Sequence, residues 1–180
     1  VAIRSLFCAL VVLSNLLSLK MVPICGLQIP AGLFTYPLTF AISNYVALRR
    51  GSKSAQKMVY VAFACALALL VVPAARLRVV ASLVAFCGAH LTDIALFSIW
   101  KELPLWLRSN GSTWIALLVD TLLVDLLFLV GGLGWSGAQM APVFLFSLIY
   151  KALFTFATTP LLYATKYTAT SFLRHGFGVK

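Results

Sequence analysis

Residues Thr113–Leu133 read TWIALLVDTLLVDLLFLVGGL, an unbroken apolar run with Asp120 and Asp125 set inside it. A helix needs about 20 apolar residues to cross the hydrocarbon core of a bilayer, so this run predicts a transmembrane helix. A membrane barrel strand would instead alternate apolar and polar residues over about ten positions. Working outward by the same criterion gives five more runs, and the expected spans are roughly 3–22, 33–48, 58–75, 79–100, 113–133 and 141–165. Connections this short leave no room for a soluble domain. The expectation is an all-α integral membrane protein, with six transmembrane helices in a single compact bundle and one domain over 1–180.

Composition agrees with that reading. The chain is 62% hydrophobic and only 10% charged, with four acidic residues and a mean hydropathy of +1.03. Soluble domains have about 45–50% apolar and about 25% charged residues, so a soluble enzyme or a nucleic-acid-binding protein is excluded. The net charge of +10 reads as a topology signal, because the basic residues sit between the apolar runs. With the N-terminus in the cytoplasm, the inner side holds Arg4, Arg49, Arg50, Lys53, Lys57, Lys101, Arg108, Lys166, Arg174 and Lys180. The outer loops hold Arg76 and Arg78, and Lys20 and Lys151 fall inside spans. The positive-inside rule then places both termini in the cytoplasm. The chain begins at Val1, which predicts a processed or trimmed start. Arg4 before an apolar run resembles a signal peptide, but the run is long and carries no A-x-A cleavage pattern.

Residues 22–37, VPICGLQIPAGLFTYP, hold three prolines and two glycines between the first two runs. Two readings stand side by side. The segment is either an ordinary surface loop or a re-entrant stretch lining a cavity, where irregular backbone survives at membrane depth.

Polar groups inside spans are costly and mark function by default. They are Asp93, Asp120, Asp125 and Lys151, with His90, Asn15 and Asn44 as companions. His90 and Asp93 are three apart and share a helix face, an arrangement suited to proton relay or to ligand binding, or to holding helices together. Asp120 and Asp125 are five apart, about 140° around an α-helix, so they are expected to face different neighbours. Asp120 is the ligand candidate and Asp125 the structural one. Ser147, Lys151 and Thr155 form one polar stripe, and Asp120 or Asp93 is the expected partner of the ammonium. Phe34, Tyr36 and Phe40 cluster around Pro37, where a planar ligand would stack, although packing is the commoner role of such aromatics.

Signals for catalysis are poor. Gly134-Trp135-Ser136-Gly137 matches the G-x-S-G of rhomboid-type proteases, but that chemistry needs a histidine base, and the one histidine downstream is His175 in the C-terminal tail. Two histidines and scattered acids make no metal site, and no G-x-x-x-x-G-K-[ST] is present. Cys8, Cys25, Cys65 and Cys87 lack metal spacing or a disulfide framework. No cofactor, metal or catalytic activity is expected.

In order along the chain, Ser14-Asn15 with Lys20, Ala31-Gly32 with Phe34-Thr35-Tyr36-Pro37-Leu38-Thr39-Phe40, Ser112-Thr113 with Asp120-Thr121, and Tyr150-Lys151 with Thr159-Pro160 and Tyr163 form a pattern. It resembles the bacterial queuosine precursor transporters, a family first labelled as vitamin uptake transporters. The resemblance covers most of the chain. Four positions depart from it. Asn44 stands where the family usually has Asp, Leu48 where Glu is frequent, and His90 and Leu117 where Gln is common.

The resemblance implies import of a 7-deazaguanine base across the bacterial inner membrane, with a lipid bilayer as surroundings and no nucleic acid as partner. The substrate-binding residues expected on this basis are Asn15, Phe34, Phe40, Asn44, His90, Asp93, Asp120 and Lys151. A carboxylate of Asp93 or Asp120 would accept from the N1–H and 2-amino group of the base. Lys151 would donate to its carbonyl, and Phe34 or Phe40 would stack on the ring. The rival expectation is a substrate-binding membrane subunit of a multi-component transporter that recruits a separate energising partner. A homo-oligomer is compatible with either.

Overall fold

The computed structural model describes residues 2–24, 26–71 and 76–176, leaving aside the side chains of 161, 163 and 165–176. Helix α1 (Ala2–Ser18) leads into a hairpin of β1 (Met21–Ile24) and β2 (Leu27–Pro30), followed by a 3-10 turn over Ala31–Phe34. Five further helices complete the chain: α2 (Pro37–Arg50), α3 (Ser52–Leu67), α4 (Arg76–Ile99), α5 (Leu105–Val124) and α6 (Gly137–Gly176). A 3-10 segment extends α3 through Val71, and α5 runs on as a π-helix over Asp125–Val130.

Among the described residues, four of the six helices are long and apolar enough to cross a membrane: Ser52–Val71, Arg76–Ile99, Leu105–Val130 and the Gly137–Pro160 part of α6. Helix α1 is a shorter apolar helix of 17 residues. Helix α2 has 14 residues, about 21 Å at 1.5 Å per residue, against a hydrocarbon core of about 30 Å. The expected six spans therefore correspond to six helices, of which four have spanning length.

The bundle is apolar outside and carries buried polar residues within an apolar core. Val61, Val84, Leu118, Leu122, Leu145 and Leu153 are exposed, whereas Thr39, Ser43, His90, Asp93 and Ser112 are fully buried. In water such an exterior would be an aggregation surface; in lipid it is the expected one. The chain is thus a multi-pass membrane protein. Helices α4 and α5 form the most extensive contact, α6 closes against α5 and α2, and α3 packs against α1, α2 and α4.

Several boundaries differ from the sequence reading. The second helix begins at Pro37, not at 33, because a first-turn residue needs no N–H and the fixed proline φ suits that position. Gly51, at φ 82°, adopts the left-handed conformation that lets α2 turn directly into α3. The fifth helix starts at Leu105, well before 113. Arg108, Ser109, Asn110 and Ser112 have the composition of a loop, yet Ser109, Asn110 and Ser112 are buried helical residues. The first helix ends at Ser18, so Lys20 is not within a span but exposed beside the hairpin.

The fold is all-α as expected, apart from a short hairpin that takes in the first part of the segment 22–37. Its strands pair antiparallel, with Met21 opposite Pro30 and Ile24 opposite Leu27, and Gly26 at φ 79° occupies the turn. Prolines within a strand suit an edge, and both strands here are edges. The hairpin is fixed to α1: Ala31 N–H donates to Lys20 O at 2.9 Å, and Ser14 Oγ donates to Gly32 O at 3.1 Å. Gly32 lies so close that a Cβ there would fall onto the Ser14 carbonyl and the Ser18 side chain.

Candidate functional site

A cavity lies at the hairpin end of the bundle. Its walls come from the C-terminal half of α1 (Ser14, Ser18), the hairpin (Met21, Gln28, Pro30), the N-terminal part of α4 (Arg78, Ser82), the far half of α5 and the first turns of α6. Tyr36, Asp120, Thr121 and Lys151 line it together and form a connected polar cluster. Lys151 Nζ donates to Asp120 Oδ2 at 2.6 Å and to Thr121 Oγ1 at 2.9 Å. Tyr36 OH donates to Asp120 Oδ1 at 2.8 Å. The Lys151 ammonium also sits 5.4 Å from the centre of the Tyr36 ring, within range of a cation–π attraction. Asp120 is 2% exposed and Lys151 5%, so each charge depends on the other. Removing one partner of such a pair typically costs about 3–5 kcal/mol.

The chain positions this cluster by simple periodicity. On α6 up to Thr159 the buried positions are Val143, Ser147, Lys151, Thr155 and Thr159, one every fourth residue and hence on one face. Helix α5 meets that face in antiparallel rungs. Trp114 Nε1 donates to Thr155 Oγ1 at 3.0 Å, and Thr159 Oγ1 donates to Asn110 Oδ1 at 3.0 Å. These rungs fix the depth at which Lys151 meets Asp120.

A second polar cluster lies away from the cavity. Ser112 Oγ and Thr113 Oγ1 both donate to Asp93 Oδ1, at 2.7 and 3.1 Å, and Asn44 Nδ2 donates to Thr113 Oγ1 at 2.9 Å. His90 takes different partners. Thr39 spends its single proton on Tyr36 O at 2.6 Å, so His90 Nε2, 3.0 Å from Thr39 Oγ1, is the donor and the ring is the Nε2–H tautomer. The ring stacks on Phe40 with centroids 4.2 Å apart and planes at 11°. His90 and Asp93 share a helix face but serve separate neighbours.

Of the eight residues expected to bind substrate, Asp120 and Lys151 line the cavity. Phe34 packs edge-on against Tyr150 at 5.2 Å, and Phe40 is occupied by His90. Asn15 donates to Val11 O within its own helix at 2.9 Å. Asn44, His90 and Asp93 are buried in helix packing around α4 and α5. Residues that line the cavity without having been expected there include Arg78, Gln28, Ser82 and Phe128. Arg78 reads as a loop charge in sequence, yet its guanidinium sits over Phe128, 4.6 Å from the ring centre, and donates to Met21 Sδ at 3.4 Å.

Asp125 also lines the cavity, contrary to the angular argument that separates it from Asp120. The backbone from Asp120 to Asp125 is α-helical, but the cavity takes in Asp120, Thr121, Val124, Asp125, Phe128 and Leu129, a face broad enough to carry both carboxylates at its opposite sides.

Ser136 lies in an exposed turn, where its N–H and Oγ both donate to Gln139 Oε1. His175 lies outside the described side chains. Among the described residues no group of histidine, cysteine and acidic side chains is placed to hold a metal, and Cys8, Cys65 and Cys87 are free thiols.

Residues 73–165, which carry α4, α5 and the spanning part of α6, match the family model described as "Putative vitamin uptake transporter". The chain belongs to this family. Vitamin uptake transporters move small molecules across a lipid bilayer, and the matched region includes Asp93, Asp120, Asp125 and Lys151. No curated protein and no solved structure matches the chain.

Proposed function

We propose that this vitamin uptake transporter imports a 7-deazaguanine base, a queuosine precursor, across the bacterial inner membrane. The observation that carries the reading is the Tyr36–Asp120–Lys151–Thr121 cluster on the wall of an open cavity. Buried polar groups that face a cavity, not lipid, are the usual mark of a substrate path in a membrane protein. A planar base with several hydrogen-bonding edges suits a site walled by hydroxyls, a lysine and carboxylates, with the rings of Tyr36 and Phe128 beside it. In this reading the whole of 1–180 is one membrane domain crossed six times, with the hairpin and 3-10 turn completing the short second crossing. The positive-inside rule puts both termini in the cytoplasm and the cavity, beside Arg78, at the outer face. A cavity there suits loading for import.

Thermal unfolding of the purified protein with 7-deazaguanine bases, and with guanine and adenine as controls, tests this. A ligand at one hundred times its Kd stabilises the folded state by about 2.7 kcal/mol. The expected result is a rise in Tm with a deazaguanine and none with adenine. A flat response to every deazaguanine sinks the substrate assignment.

A further inference from the structure

We infer that Asp125, not Asp120, is the carboxylate that reads the N–H edge of the substrate; the inference rests on the deazaguanine reading above. It follows from counting acceptors in the cavity. Both oxygens of Asp120 are engaged, Oδ1 by Tyr36 and Oδ2 by Lys151. Asp93 is absent from the cavity wall. Asp125 is 5% exposed and lines the same cavity, and its Oδ2 is buried without a hydrogen-bond partner. A buried acceptor left unmatched is costly, and a ligand donor removes that cost on binding.

The backbone supplies a second, independent observation. Asp125 opens the π-helical segment Asp125–Val130, on the face of the helix that lines the cavity with Asp120, Thr121, Val124, Phe128 and Leu129. Such segments inside α-helices recur at functional sites.

The surrounding charges define the donor. Lys151 and Arg78 already place two cations on the cavity wall, and only Lys151 is in an ion pair with a carboxylate. A ligand ammonium would face both cations. A neutral ring that presents an N–H beside an exocyclic amino group gives a carboxylate two parallel donors with no added positive charge. Asp125 therefore selects a 2-amino-substituted ring over the same ring without that amino group.

The test is binding of 7-deazaguanine and of 7-deazahypoxanthine, which lacks the 2-amino group, to the full-length protein in detergent. Wild type is expected to prefer 7-deazaguanine by about 10–100-fold, the value of a hydrogen bond to a charged group. In Asp125→Asn the preference falls to near unity. Because the readout is a ratio within one preparation, partial misfolding does not mimic it. Arg78→Gln serves as the companion variant: it weakens both ligands alike and leaves the ratio intact. A wild-type preference that Asp125→Asn retains overturns the assignment of Asp125 while the deazaguanine reading stands. A wild type that binds neither base overturns both.

Discussion

Asp93 and Asp120 are both essentially inaccessible, at 0% and 2% exposure, and both sit in the membrane-spanning part of the chain. Their surroundings differ in two respects. Asp120 is neutralised by a lysine and adjoins a cavity. Asp93 faces no cation, receives the hydroxyls of Ser112 and Thr113 and is enclosed by packed helices. Burial and charge alone therefore do not distinguish a cavity wall from a polar joint between helices. The difference lies in whether empty space adjoins the group, and that is a property of three or four helices together.

The largest expected effect breaks the cavity cluster. Lys151→Met leaves Asp120 without its counter-charge and should cost about 3–5 kcal/mol in unfolding of the solubilised protein. Adding Asp120→Asn to the same chain should recover much of that loss; strictly additive losses would show that the pair is not coupled. Next comes the enclosed cluster. Asp93→Asn keeps one carbonyl oxygen for Ser112 and Thr113, so the cost should be about 1–3 kcal/mol with ligand affinity unchanged. A large affinity loss there would erase the distinction between the two regions. Trp114→Phe removes the rung to Thr155 and should cost about 0.5–1.5 kcal/mol, read as a small fall in Tm. Arg4→Ala deletes only an exposed hydrogen bond to Ser54 and should stay within about 0.5 kcal/mol, setting the baseline for the other three.

Much of the fold was legible because lipid imposes a strong and simple rule. Long apolar runs such as Met58–Val71 and Thr113–Leu133 have no stable alternative to a helix. The fine structure was less legible where a local feature overrides that rule. The hairpin is hidden because its prolines and glycines carry the composition of a loop, while its pairing lies in backbone register. Asn110 and Ser112 look like loop residues until α4 and α6 are packed against them. In the site, the Lys151–Asp120 partnership was readable from two lone opposite charges at mid-span. His90 and Phe40 look equally suited to a ligand, yet they satisfy each other. Asp125 was misplaced because the angle between two residues does not give the width of a cavity, and this one takes in Asp120, Thr121, Val124, Asp125, Phe128 and Leu129 from one broad face.

The four-residue stripe on α6 has a consequence for how this protein tolerates changes in length. Four residues overshoot a full α-helical turn by about 40°, so the stripe winds slowly around α6 and meets different neighbours along its course. An insertion of one residue between Ser147 and Thr155 would rotate everything beyond it by about 100°. Inserted just before Lys151, it would turn that ammonium from Asp120 toward hydrocarbon, where a charge costs about 2.5–3.5 kcal/mol even on the lenient insertion scale. The exposed turn at Leu133–Ser136 carries no such phase. Evolution and engineering alike are free to lengthen the chain there, while α6 behaves as a key whose teeth admit no slippage.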